Sequence, residues 1–299
     1  MPSSVPTYED LTNHYTTAMD ALYEIARGYL YLGRVADAQH LLRTTLYLRE
    51  AQEMKPQACL KLLLLYGKVL IVDLHVHRGE ADLMLSTALQ AKQTAEAVGE
   101  QQGLADALSL LGQGRCSATT VAIVKSGGMP FGTQGQGAYE EALVYQQQAL
   151  ELREALQDTR GMSESHFGIG LVYQFWQQHE LAWEHFTKAI QIAEKSGHIL
   201  EQAEPHRHLT FDALFRGDLD QALIHARSAL SFREAAGFRP YQPHDHLALW
   251  DIYRKRGDTA NAQLHMRRAS ALAEEMGFAT IVSSLVNAMS RLEDQEGQA

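Results

Sequence analysis

Apolar residues recur along this chain at helical spacing, in stretches several turns long, and each stretch stops at a glycine or a polar turn. Ile25 and Tyr29, Ile169 and Tyr173, and Leu249 and Tyr253 stand four apart and lead into Gly33, Gln177 and Gly257; Leu209 holds the first of these places ahead of Gly217. Such a stripe is the buried face of an amphipathic helix. Five residues past each turn comes Ala38, Ala182, Ala222 or Ala262, and seven further on Thr45, Ala189, Ala229 or Ala269. Small side chains there let neighbouring helices approach closely. Gly197, Gly237 and Gly277 recur every 40 residues, as do Gly217 and Gly257, and Gly79 and Gly99 repeat the 20-residue offset. Glycine is what a left-handed helix C-cap favours. The pattern predicts an all-α stack of about six helix pairs forming one domain over residues 1–299.

These spacings resemble the tetratricopeptide repeat: a small residue after the first stripe (Ala26, Gly170), an aromatic, a glycine, then two alanines in the second helix. The units, about 40 residues long, are similar to the long-helix bacterial type found in maltose-activator-like regulators and signalling scaffolds. The likeness is clearest over residues 162–277 and is followed less closely over 19–49. It departs over 60–99, where Met84 takes the first alanine site, and over 103–121. The resemblance implies a right-handed α-solenoid whose concave groove is lined by first-helix residues. Carried onto this sequence, those are Tyr23, Arg27 and Tyr31; Glu164, Phe167 and Phe175; Glu204, Arg207, Phe211 and Phe215; and His244, Asp251 and Arg254. Some of these aromatics could instead belong to the core, because longer helices rotate the buried face.

One joint breaks the period. Between a helix expected at 103–121 and another at 138–156, the segment 124–137 holds glycines and Pro130 at a density no helix tolerates. It reads either as a spacer at a loop tip or as a lid, with Met129 and Phe131 as the apolar residues that would dock. It lacks the Walker pattern of a phosphate loop, and no strand precedes it. Residues 279–292, with Ile281, Leu285 and Met289 four apart, predict a capping helix, and 293–299 a polar tail.

Charge removes several function classes. The net charge of −10, without a basic run, lacks the footprint of a nucleic-acid binder or of an anionic-membrane binder. The apolar stretch near residues 60–74 is interrupted by Lys61, Lys68 and Asp73, too short and too charged to span a bilayer. Cys59 and Cys116 have no CxxC partner, and no signal segment opens the chain, so a cytoplasmic protein is expected.

Candidate chemistry is sparse. His166, His206 and His246 recur at one position of three successive first helices, preceded in register by Glu164, Glu204 and His244. They form either packing contacts or a ladder along the groove. Equivalent atoms in neighbouring units lie about 10 Å apart, too far to share one zinc, so neither metal nor cofactor is expected. His75 and His77, like His206 and His208, are two apart and point to different sides of a helix. HExxH, GxSxG and dinucleotide fingerprints are absent. The first functional reading is a non-catalytic scaffold holding a protein or peptide in the groove, where aromatics give contact area and charges set register. The alternatives are a ligand- or signal-peptide-sensing module of a bacterial regulatory system, which a closed pocket would favour, and an enzyme using groove His and Glu residues. The oligomeric state is not legible.

Overall fold

Turns at the expected positions cut the chain into helix pairs. The computed structural model describes residues 7–50, 55–128, 132 and 137–283, and those form twelve α-helices without a strand. The pairs are α1 (Tyr8–Tyr31) with α2 (Val35–Glu50), α3 (Pro56–Val76) with α4 (Ala81–Val98), and α5 (Gln101–Lys125) with α6 (Glu140–Ala155). There follow α7 (Thr159–Phe175) with α8 (His179–Ser196), α9 (Ala203–Phe215) with α10 (Leu219–Ala236), and α11 (Gln242–Lys255) with α12 (Thr259–Glu275). Asp218 and Asp258 cap the second helices of the last two pairs by accepting from the Gln221 and Asn261 N–H groups, each cap contributing about 1 kcal/mol. Gln177 takes the place that Gly217 and Gly257 hold elsewhere and adopts φ 57°, a left-handed conformation uncommon for a side-chain-bearing residue.

The alanines do what the spacing requires. Ala182, Ala189, Ala222, Ala229, Ala262 and Ala269 are all buried. At Gly170 even a methyl group is too large, since a Cβ there would stand 2.8 Å from the Phe186 ring. First helices of successive pairs pack on one another from α1 to α11. They form the inner wall, and the second helices cover it from outside.

The stack curves far enough for its ends to meet. The Arg239 N–H donates to the Tyr31 carbonyl at 2.9 Å. The Tyr31 and Phe238 rings pack edge to face at 5.3 Å, and His77 meets Phe278 at 5.2 Å. Gly33, at the first turn, sits against Met276. One core cluster therefore joins Met19, Ala26 and Leu30 of the first pair to Phe238, Met266 and Phe278 near the C-terminal end.

Several expectations need correction. Ile25 was placed on the buried stripe, yet it is 48% exposed. α1 packs only on α2, α3 and the closing segment, and no described helix covers its other side. The helix expected at 103–121 is longer, running from Gln101 to Lys125, and so takes up the start of the 124–137 segment, while a 3-10 turn at Gly137–Tyr139 takes its last residue. Met129 and Phe131 lie outside the described residues, as does the 279–292 helix beyond residue 283.

The recurring histidines are bonded, and not to one another. His166 meets His185, His206 meets His225, and His246 meets His265, Nδ1 to Nδ1 at 3.0, 2.9 and 2.9 Å. Each pair ties a first helix to its own second helix. One imidazole donates and the other accepts, which requires the accepting ring to be neutral. Burial holds His166, His206 and His246 down at about 4, and it lowers their partners too. The folded protein thus binds these protons less readily than the unfolded chain does. The contribution of these pairs is absent above the ordinary value of about 6.5, lowers stability as pH drops from there to about 4, and changes no further below. A melt by circular dichroism at pH values across that window should show this fall. His75, His208 and His244 are lowered as well, so His206→Phe combined with His225→Leu should flatten the slope by roughly a fifth; an unchanged slope would mean the pairs do not titrate as described. At the crossings, Ala222→Leu should lower stability by about 1–3 kcal/mol, read as a lower Tm. A parent-like melt would show that Ala222 is not at a tight contact.

Candidate functional site

The inner wall encloses a lumen. α3 presents Lys68, Ile71 and His75 to it, spaced so that one helical stripe faces inward. α5 contributes Gln113, Cys116, Ser117 and Thr120; α7 contributes Glu164, Phe167, Leu171, Gln174 and Phe175; α9 contributes Glu204, Arg207, His208, Phe211 and Phe215. Tyr241, ahead of α11, completes the circle. The larger chamber has a volume of about 830 Å³ and is mostly aromatic and aliphatic; a smaller one of about 250 Å³ is charged. Ile71, Gln113, Phe167, Glu204 and Tyr241 border both, so the two are continuous.

His75 shows that this space is set back from bulk water. Lys68 is 48% exposed and His75 is also exposed by area. Even so, desolvation, helped by the nearby Arg207 cation, holds His75 down at about 4. Surface of that kind faces the lumen and not bulk water.

The polar groups are bonded to one another before any ligand arrives. Arg233 is 1% exposed and donates to Glu204 and to Asp245. Glu204 also accepts twice from Arg207, at 3.0 and 2.8 Å. Burial pushes the Glu204 carboxyl up, but the two guanidiniums outweigh it and hold the group well below the usual range. Burial raises Asp245 to about 6 against the pull of Arg233. His208 Nδ1 meets Gln174 Oε1 at 2.6 Å, and burial lowers it well below its ordinary value. His75 links Tyr241 Oη at 2.9 Å to Ser117 Oγ at 3.0 Å. That chain looks like a nucleophile and base, but an imidazole held near 4 is a weak base at neutral pH, and Tyr241, its proton held more tightly by burial, brings no charge to strengthen it. His75 and His208 serve as neutral hydrogen-bonding groups.

The expected groove residues divide in three. Phe167, Phe175, Glu204, Arg207, Phe211 and Phe215 come together around the larger chamber, with Phe211 41% and Phe215 75% exposed. Phe175 also stacks on Tyr139 at 4.8 Å. Glu164 and Tyr31 line the smaller chamber. The remainder border neither: Tyr23 lies under Lys61 at 4.4 Å, Arg27 pairs with Glu24, and Asp251 pairs with Arg254. His244 packs near Tyr241, its Nδ1 buried without a partner. Sequence reading passed over His75, Ser117, Thr120 and Tyr241. α3 and α5 keep the repeat signature least, though Lys68, Ile71 and His75 carry an inward helical spacing of their own. The segment 124–137 meets the site at one described point, where the Gly132 N–H donates to the Phe175 carbonyl at 3.0 Å. Among the described residues no three His, Cys, Asp or Glu side chains are placed to hold a metal, and no helix is long and apolar enough to cross a membrane.

Residues 133–195 match the tetratricopeptide repeat family. Within that segment the chain carries a tetratricopeptide repeat. No curated protein matches its sequence. Among solved structures, the repeat protein is similar to the Rap conjugation gene regulator of plasmid pLS20 in complex with a Phr peptide (17% identity, TM-score 0.60, covering 93% of this chain and 66% of that one). It is also similar to a Rap protein complexed with competence and sporulation factor (14%, TM-score 0.56, 90% and 80%). A third is BtubC from P. vanneervenii (13%, TM-score 0.51, 89% and 92%). At such identities the likeness is one of fold. The narrower resemblance to maltose-activator-like regulators is not carried by these matches.

The bonding around Arg233 separates two roles. Arg233→Met strands Asp245 and leaves Glu204 with Arg207 alone, and should cost about 3–5 kcal/mol in urea unfolding. Arg207→Met leaves Glu204 bonded to Arg233 and should cost only about 1 kcal/mol. Equal costs would mean that Arg233 does not organise the wall.

Proposed function

We propose that this repeat protein is a ligand-sensing module that holds a short peptide in its lumen. The carrying observation is the meeting of the two ends, which turns a groove into a partly enclosed aromatic chamber of about 830 Å³. That volume lies in the range of small-ligand and cofactor pockets. An extended protein partner would have to part Tyr31 from Phe238 and Gly33 from Met276 to lie in the groove, whereas a short ligand need not. Support also comes from the Rap structure solved with a Phr peptide, a protein of similar fold. On this reading Phe211 and Phe215, the exposed rings, receive the ligand, and Phe167, Leu171 and Phe175 form the deeper wall. The protein acts in the cytoplasm and passes the signal through a partner.

The neutral dye Nile red tests the chamber, followed by displacement with short aromatic peptides. Saturable binding of one dye per chain is expected, and Phe211→Ala should weaken it by about 2 kcal/mol, as truncation of a central aromatic anchor does. Absence of saturable binding, or a Phe211→Ala protein that binds like the parent, would sink the proposal.

A further inference from the structure

The smaller chamber has a composition of its own. Four rings line it, Tyr31, Phe167, Phe238 and Tyr241, together with the carboxylates of Glu164, Glu201 and Glu204. Ring faces carry negative potential, so an aromatic enclosure backed by carboxylates is suited to an organic cation.

The protein's own cations fill this role incompletely. Arg233 is committed to Glu204 and Asp245, with its guanidinium 5.4 Å from the centre of the Tyr241 ring. Arg153 holds Asp106 and Glu164 from behind the wall, and Lys68 stands 3.7 Å from Glu164, a long pair. Glu201 is different. Its side chain is 9% exposed, and one oxygen forms an ion pair with Arg160 Nε at 2.9 Å. The other oxygen is buried and accepts from nothing in the protein. Arg160, which covers it, is 62% exposed and reaches in from the rim, so it can swing into solvent. Asp245 also has a buried oxygen without a partner, but of the two carboxylates only Glu201 borders the chamber.

We propose that the smaller chamber is a subsite for an organic cation: the ammonium or guanidinium end of a ligand whose apolar part fills the larger chamber. Arg160 turns outward, the Glu201 carboxylate accepts from the ligand in its place, and Phe167 and Tyr241, which border both chambers, contact the ligand where it passes between them. This rests on the lumen being the binding site. A peptide's basic side chain and a small free amine share this chemistry.

Calorimetric titration with phenylbutylammonium, phenylbutanol and phenylbutanoate separates charge from apolar contact. The ammonium should bind about tenfold tighter than the alcohol, and the carboxylate more weakly than either. Glu201→Gln should reduce the ammonium to the level of the alcohol while leaving the alcohol unchanged. Arg160→Gln, which uncovers the carboxylate without removing it, should tighten the ammonium severalfold. N-acetyl-Phe-Phe-Lys-amide against its Nε-acetylated form identifies the source: a preference for the free lysine assigns a peptide side chain, and a preference confined to phenylbutylammonium assigns a small amine. If all three probes bind alike, or Glu201→Gln keeps the preference, the cation subsite is wrong while the lumen reading stands. If none of the three binds, both fall.

Discussion

A guanidinium cannot be left unpaired inside a protein, and the bonding of Arg233 is the constraint around which this wall is arranged. The side chain projects from α10, an outer helix, and is almost wholly covered. Its two partners come from different units: Glu204 from α9 and Asp245 from the start of α11. Satisfying one buried charge therefore fixes the approach of two successive pairs. Glu204, held there, in turn orients Arg207, whose guanidinium lies 5.4 Å from the centre of the Phe211 ring. Arg153, two repeats earlier, does the same work on α6, reaching Asp106 on α5 and Glu164, Ser165 and the Gly161 carbonyl on α7. Packing between apolar faces tolerates sliding, whereas a forked donor with fixed acceptors does not. The two arginines give the stack a definite pitch where alanine contacts alone would permit several.

Pitch decides whether the ends meet. First helices touch their successors along the inner wall, and that nearest-neighbour geometry, repeated, bends the stack around. Six pairs suffice for Phe238 and Met276 to reach Tyr31 and Gly33. Closure supplies the cover that α1 otherwise lacks on that flank; Ile25, facing the other way, keeps its exposure. Closure also gives lumen side chains their unusual state, accessible by area yet desolvated, as His75 is.

The fold was legible because its signals are local. A glycine cap, a small residue five positions on and another seven later each report a contact within a pair or between adjacent pairs, and such contacts recur with the sequence period. Phe167, Phe175, Phe211 and Phe215 could be placed from the same register, since position on a first helix determines which way a side chain points. What the sequence did not disclose depends on contacts without a period. Tyr23 and Arg27 share the register of true lumen residues but lie toward the wrong end of α1, and only the curvature shows it. Tyr241 lies in a connection, and its approach to His75 spans 166 positions. The histidine pairs are the opposite case. His185, His225 and His265 recur every 40 residues as plainly as their partners do, and the pairing could have been read had the second helices been scanned alongside the first.

A lumen whose charges are already paired behaves differently from one lined with free ions. A ligand entering it need not strip water from isolated carboxylates or guanidiniums, because Glu204, Arg207 and Arg233 satisfy one another in the empty protein. Selectivity then falls to shape, to aromatic contact and to the few polar atoms left over. Rejection is as important here as attraction: a ligand group that breaks the Arg233 bonding without replacing it leaves a buried charge exposed to low dielectric, a cost far above what one more apolar contact returns. The wall that sets the pitch of the solenoid thus also limits what the lumen admits. The residues that hold successive pairs in place are the same residues that a ligand must leave undisturbed.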